Sequence, residues 1–135
     1  MVGIINNFSL AVVNILVFDE ITTLNGRSLL YNPFFKAPPM TLSFVTYTMV
    51  SNIPNGEVSF KFRIANPLNE SMHETAVTTI TVKDNIFSNA LIWNNVHFTI
   101  PGEHTITFYL SSNNSEFEPT GSTVIVISDN VPKKK

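Results

Sequence analysis

Hydrophobic and polar residues alternate with a period of two along much of the chain, which is the pattern of half-buried β-strands. The clearest segments are EVSFKFRI at 57–64, NVHFTI at 95–100 and HTITFYL at 104–110. The residues predicted to form their buried faces are Val58, Phe60, Phe62, Ile64, Val96, Phe98, Ile100, Ile106, Phe108 and Leu110. No segment keeps a helical period for three turns. The pattern therefore predicts an all-β protein in which one face of each strand meets a core.

Four other segments read as strands with a less regular pattern. AVVNILVF at 11–18 and TVIVI at 123–127 are apolar at both odd and even positions, which predicts central strands or strands with both faces covered. ETAVTTITV at 74–82 predicts a Thr-rich strand, and SLLY at 28–31 predicts a short strand after an LNG turn signal. The residues expected on the inner side of the Thr-rich strand are Ala76, Ile80 and Val82.

The strand predicted at TLSFVTYTMV, residues 41–50, changes phase within its own sequence. Its apolar series starts at Leu42 and Phe44 and continues at Val45, Tyr47 and Met49. An extra residue in one strand reverses the alternation of side chains, so this shift predicts a β-bulge between Phe44 and Val45.

Short strands that recur between turn signals are typical of β-sandwiches. We therefore predict an antiparallel, immunoglobulin-like β-sandwich with Greek-key connections and about seven to nine strands. Residues 1–130 are expected to form a single domain, which a chain of 135 residues is long enough to build. Residues 131–135, which end in three lysines, are expected to form a flexible basic tail.

Composition narrows the range of functions. The formal net charge is −2, and without the three terminal lysines 5 basic residues face 10 acidic ones. A domain with this excess of negative charge lacks a basic face that could bind phosphates, so we predict no nucleic-acid partner. The apolar run at 8–18 is too short to span a bilayer, so no membrane partner is expected. The absence of cysteine favours a cytoplasmic protein and excludes thiolate chemistry.

Two related corners bear on the three histidines. NIPNGEVSFKFRI at 52–64 and FTIPGEHTITFYL at 98–110 share Ile-Pro and Gly-Glu before an alternating strand, and only the second contains His104. The repeat suggests two comparable entries into a sheet. If the second corner forms a hairpin, His97 points outward and His104 inward. His104 is then expected to pack at the core with a ring nitrogen on backbone, as a corner tyrosine does.

Catalytic and cofactor sites are not expected. A hydrolase or metal enzyme would have to use the histidines, His73 among them, with Glu70, Glu74 or Glu103. The serines have no Gly-x-Ser-x-Gly elbow, and the glycines form no phosphate-binding loop. The sequence therefore predicts a non-enzymatic protein without cofactor or metal.

The segment YNPFFKAPPM at 31–40 is the strongest candidate for contact with a partner. Consecutive phenylalanines point to opposite sides of an extended backbone, and adjacent prolines stiffen it. One interpretation is a loop that caps the sandwich, and the other is an aromatic contact for a protein partner or a second copy. The predicted contact residues are Tyr31, Phe34, Phe35 and Met40. Phe87 and Trp93 in IFSNALIW suggest a second such surface.

The order of these segments resembles a family of small bacterial and phage proteins known only as a domain of unknown function. The resemblance covers 8–127 and consists of a first strand that ends in an acidic pair, a Pro-rich link, a Leu-Ser-Phe strand, a Gly-Glu strand and a late Pro-Gly-Glu corner. It implies an immunoglobulin-like sandwich and no known activity.

These observations lead to one hypothesis and two alternatives. The first is a non-catalytic protein-interaction or structural module of bacterial or phage origin that associates with a protein partner or with itself. The alternatives are a phage-encoded inhibitor that binds a host defence enzyme, and a metal-dependent hydrolase. Fold class does not choose among them.

Overall fold

Two antiparallel β-sheets pack face to face as a sandwich. The structure is a computed structural model that describes residues 8, 10–19, 40–112 and 116–127. Over those residues the chain forms strands and turns and contains no helix. The all-β prediction is thereby confirmed, whereas the strand predicted at 28–31 lies outside the described residues.

The described residues form eight strands. They are β1 (Val12–Asp19), β2 (Met40–Ser51), β3 (Gly56–Ala65), β4 (Ser71–Glu74), β5 (Thr78–Val82), β6 (Ile86–Phe98), β7 (Gly102–Ser112) and β8 (Glu118–Ile127). The three-stranded sheet has the order β1-β2-β6. The five-stranded sheet has the order β4-β3-β7-β8, and β5 pairs with β3 beside β4. Every pair of neighbouring strands is antiparallel.

The core lies between the two sheets and follows the predicted alternation. Each predicted inner residue of β3 and β7 is buried, and the residues between them are partly exposed. Phe62 and Phe108 are paired across these two strands, with ring centroids 5.1 Å apart. Removing such apolar surface from water stabilises the fold by about 25 cal/mol per Å².

The two related corners have the same backbone geometry. Gly56 and Gly102, the first residues of β3 and β7, have φ angles of 121° and 120°. These angles strongly disfavour residues with a Cβ, which explains a glycine at both places. Each corner leads from the three-stranded sheet into the five-stranded sheet. The hairpin assumed for the second corner is therefore wrong, because β6 and β7 belong to different sheets.

The prediction that AVVNILVF and TVIVI form central strands, or strands covered on both faces, is wrong. Among the described strands, β1 and β8 end their sheets, and the outward residues Leu16 and Val124 are 38% and 45% exposed. Both strands lie on the same side of the sandwich and approach closely. A Cβ on Gly121 of β8 would lie 2.5 Å from Val13 Cγ1 of β1. Apolar residues on both parities thus belong here to edge strands that approach each other across the sandwich.

The bulge predicted in β2 lies in its partner strand. The pairing moves from Leu42↔Val96 to Phe44↔Trp93, so the chain advances two residues along β2 and three along β6. Asn94 and Asn95 of β6 therefore lie opposite the single residue Ser43 of β2. Asn95 has a positive φ of 55°, and its backbone N–H donates a hydrogen bond to Ser43 Oγ at 3.0 Å. β2 keeps one phase, with Phe44, Thr46, Thr48 and Val50 inward and Met49 48% exposed.

The Thr-rich segment at 74–82 forms parts of two strands rather than one. Ile80 and Val82 face the core from β5, as predicted, whereas Ala76 is exposed in the connection between β4 and β5. No helix with the length and hydropathy needed to cross a bilayer occurs in the described ranges.

Candidate functional site

His104 is a core residue, as its sequence position predicts. Its side chain is completely buried, and its ring meets the Phe98 ring edge to face at 4.9 Å between centroids. Nδ1 lies 3.0 Å from the Gly102 carbonyl oxygen, which can only accept, so Nδ1 carries the proton of the neutral ring. Nε2 is buried without a hydrogen-bond partner. Burial lowers the pKa of His104, and the bond to Gly102 opposes that shift only in part.

This burial predicts a loss of stability in mild acid. Because the pKa of His104 is lower in the folded protein, the unfolded chain takes up its proton first as the pH falls. The free energy of unfolding should be unaffected above pH about 6.5 and fall below it, by at most about 1.4 kcal/mol per pH unit. Urea unfolding at several pH values measures this slope.

The matched variants for this prediction are His104→Phe and His97→Gln. His104→Phe should flatten the slope, whereas His97→Gln should retain it, because His97 is exposed. Equal slopes in the two variants would show that His104 does not cause the acid sensitivity.

The other histidines lie apart from His104. His97 is exposed on β6, and its Nδ1 lies 3.1 Å from Thr41 Oγ1. His73 is exposed on β4 and meets Trp93 edge to face at 5.7 Å. His97 points outward from the three-stranded sheet and His104 points inward from the five-stranded sheet; both directions are as predicted, although the hairpin assumed for them does not form. Within the described part of the chain, no three His, Asp or Glu side chains are grouped closely enough to hold a metal ion.

The acidic residues of the hydrolase alternative have other partners. Glu74 accepts a hydrogen bond from Lys61 Nζ at 2.6 Å, and this bond and the charge of Lys61 hold the pKa of Glu74 below its ordinary value. Glu70 accepts from Asn66 Nδ2 at 2.9 Å in the turn after β3. Glu103 is exposed at the start of β7. The candidate acids therefore do not converge with a histidine.

The predicted aromatic contact falls mostly outside the described residues. Tyr31, Phe34 and Phe35 lie in the part of the chain that is not described, and Met40 is described only through its backbone pairing with Phe98. That contact stays a prediction.

The prediction of a second contact surface at Phe87 and Trp93 is wrong. Trp93 is buried, stacks on Phe44 at 5.8 Å, and donates from Nε1 to Thr46 Oγ1 at 2.9 Å. Phe87 packs on Phe60 with 5.7 Å between ring centroids. Both aromatic side chains therefore belong to the core. The opposite face of the same strand is the exposed one.

The outer side of the three-stranded sheet forms an uncharged face. Its side chains lie in cross-strand rows, and the described members of the four rows that cross all three strands are Val12, Asn14, Leu16, Val45, Tyr47, Met49, Ser51, Ile86, Ser88, Ala90 and Ile92. The three strands contain one charged residue, Asp19 at the end of β1. Half of the large hydrophobic side chains that are exposed in the described ranges lie on this face, at 38 to 56% exposure. Sequence reasoning missed the face because it joins segments far apart in the chain.

The outer side of the five-stranded sheet has a different character. Charged side chains occur along its strands, namely Glu57, Lys61, Arg63, Glu74 and Glu103. Lys61 lies over the rings of Phe117 and Tyr109, at 4.8 and 5.6 Å from their centroids. Its ammonium group therefore has aromatic and carboxylate neighbours of its own. The two outer surfaces of the sandwich thus differ in charge, and only one is apolar and neutral.

A shallow pocket lies at the first corner. It has a volume of about 240 Å³ and is lined by Phe8, Pro54, Asn55, Gly56, Glu57, Val58 and Ser112. Pockets that enclose small molecules usually measure about 300–1,000 Å³ and converge several polar groups on the ligand. This pocket is smaller and contains a single carboxylate, so it is a weaker candidate than the uncharged face.

Comparison with models of known protein families finds none that matches this chain, and comparison with curated proteins finds no significant relative.

Proposed function

We propose that the protein is a non-catalytic interaction module that binds another protein surface through the uncharged face. The observation that carries the proposal is the concentration of exposed apolar side chains on a sheet surface without ionised groups. Exposed apolar patches on soluble domains mark sites of contact with other proteins. The histidines and acidic residues of the described ranges that were considered for catalysis are dispersed, which also favours binding over chemistry.

The composition of the face indicates the kind of partner. An Asp, Glu, Lys or Arg of a partner that covered this face would lose its hydration without gaining an opposite charge. The favoured partner surface is therefore apolar at its centre and carries hydroxyl or amide groups at its edge, which match Asn14, Ser51 and Ser88.

The size of the face suits the centre of an interface. Four cross-strand rows extend roughly 20 Å along the strands and 10 Å across them. With side chains this amounts to roughly 300 Å², within the range of functional patches on monomers. A standard interface buries about 800 Å² on each partner, so the surrounding loops would have to contribute. The predicted contact residues Tyr31, Phe34, Phe35 and Met40 are candidates for that contribution.

The test is a lysine substitution at the middle of the face. Met49 is 48% exposed on β2 between Asn14 and Ser88. Proteins retained by the immobilised wild type from an extract of the source cells are identified, and a retained protein is then purified and titrated against wild type and Met49→Lys. Burying an unpaired ammonium should weaken binding at least about tenfold.

Val124→Lys is the matched control. Val124 is 45% exposed on the outer side of β8, so the same charge is added to the other sheet at similar exposure. Its affinity should remain that of the wild type. Equal affinities of Met49→Lys and Val124→Lys, or a wild type that retains no protein, would contradict the proposal.

A further inference from the structure

The outer edge of β6 is a long strand edge without charge. β6 spans Ile86–Phe98, and in the described part of the chain it pairs only with β2 within its sheet. Its sequence contains no Asp, Glu, Lys, Arg or Pro. Edge strands are normally protected by such residues, because unpaired N–H and C=O groups can pair with another strand. β6 lacks that protection before its bulge at Asn94 and Asn95.

The same strand is self-complementary about Asn89. In an antiparallel pair of two β6 strands with Asn89 opposite Asn89 of the second copy, each residue meets a residue of its own parity. The pairs would be Ile86 with Ile92, Phe87 with Leu91, and Ser88 with Ala90. Ile86, Ser88, Ala90 and Ile92 are the exposed outer residues of β6, and Phe87, Asn89 and Leu91 are its half-buried inner ones. The large apolar residues thus face one another on both sides of the joined sheet, Ile86 with Ile92 on the outer side and Phe87 with Leu91 on the inner side.

Asn89 supplies an independent reason for this register. Its Oδ1 is buried and has no hydrogen-bond partner. The hydroxyl of Thr48, which is paired with Asn89 across β2 and β6, is also buried without a partner. Buried polar atoms of this kind are rare, and a missing bond to one of them is costly. The side-chain amide of a second Asn89, directly opposite, would supply N–H donors at this point.

We propose that the partner of β6 is a second copy of this chain, joined edge to edge by antiparallel pairing of residues 86–92 about a twofold axis at Asn89. The second copy would be a partner of the three-stranded sheet that also carries the uncharged face, and in this respect the dimer rests on the proposed function. The two copies would form one six-stranded sheet, with the uncharged faces side by side on its outer surface. The contact is narrow, so the dimer is weak and reversible.

Cysteine cross-linking tests the register directly, because the chain contains no cysteine. Ser88→Cys and Ala90→Cys proteins are mixed and oxidised slowly. Directly opposite residues have Cα atoms about 4.5–5.5 Å apart, within the range of a disulfide. The mixture should therefore form a covalent dimer, and either variant alone should form much less. The matched control is a mixture of Ser122→Cys and Val124→Cys, two exposed residues with the same spacing on edge strand β8, which should stay monomeric.

A charge at the axis provides a second test without cysteine. Asn89→Asp keeps the shape of the side chain and places two carboxylates opposite each other in the dimer. Sedimentation up to about 1 mM should show dimer for the wild type and at least a tenfold larger dissociation constant for Asn89→Asp. Asn94→Asp adds the same charge beyond the paired residues and should sediment as the wild type does. Circular dichroism confirms that both variants fold.

The outcomes separate the dimer from the proposed function. A wild type that remains monomeric at 1 mM, or cross-linking of Ser88→Cys with Ala90→Cys no greater than in the β8 control, would overturn the dimer. If Met49→Lys still weakened partner binding in that case, the interaction function would stand alone. Cross-linking together with equal binding by Met49→Lys and Val124→Lys would support the dimer and contradict the uncharged face as the docking site.

Discussion

Phe108→Ala is expected to lower the free energy of unfolding by about 3–5 kcal/mol, one of the two largest effects among the substitutions considered. Phe108 is completely buried in β7, and its ring lies 5.1 Å from that of Phe62, 5.7 Å from that of Phe60 and 6.2 Å from that of Phe87. These rings come from both sheets, so a cavity here removes contacts across the sandwich. Domains of this size are stable by about 5–15 kcal/mol, so the variant would be only marginally folded.

Urea unfolding followed by circular dichroism measures this loss. Thr107→Ala is the matched control, because Thr107 is the preceding residue of the same strand and points to the outer side. It should cost less than about 1 kcal/mol. Phe108→Leu retains most of the volume and should cost about 1.5 kcal/mol. A Phe108→Ala loss no larger than that of Thr107→Ala would contradict the assignment of this ring to the centre of the core.

The strands β3 and β7 were predictable because their alternation is unambiguous. From Val58 to Ile64 and from Ile106 to Leu110 the inner positions are large and apolar and the outer ones carry a polar group, so the period alone gives the buried face. The corner glycines were recognisable for a similar reason, since Gly56 and Gly102 occur in the same short motif. Their shared φ near 120° shows that the motif encodes a backbone conformation.

The inner face of β2 was not predictable from its own sequence. The more hydrophobic of its two alternating sets of positions contains Val45, Tyr47 and Met49, whereas in the structure Thr46 and Thr48 of the other set point inward. The reason lies in another strand, because the buried indole of Trp93 requires an acceptor and Thr46 Oγ1 provides it. Local periodicity carries no information about such a tertiary hydrogen bond.

The candidate surface shows the same limit. The lack of charge in β1, β2 and β6 is visible in the sequence, but nothing in one strand shows that these three are neighbours. Pairing places Val12, Ser51 and Ile86 in a single row although they are up to 74 positions apart. The signal that would have found the face is the absence of charge in three strands at once, combined with charged residues in most of the others.

Gly102→Ala is the second substitution for which a large effect is expected, at about 2–6 kcal/mol of unfolding free energy. Two costs combine at this residue. A Cβ at φ 120° is strained, which costs about 1–3 kcal/mol. The same Cβ would lie 2.7 Å from Pro67 Cγ, so the turn after β3 would have to move, at a further cost of about 1–3 kcal/mol.

Gly56→Ala separates these two costs, because Gly56 has nearly the same φ of 121° and a Cβ there would meet no atom within 4 Å. Gly56→Ala should lower the free energy of unfolding only by the cost of the strain, about 1–3 kcal/mol, and Gly102→Ala should lower it by more. In a Pro67→Ala background, which removes the Cγ, the difference between the two glycine variants should shrink. Equal losses in the original background would mean that the contact with Pro67 is accommodated without cost, and that the two corners are equivalent in energy as well as in conformation.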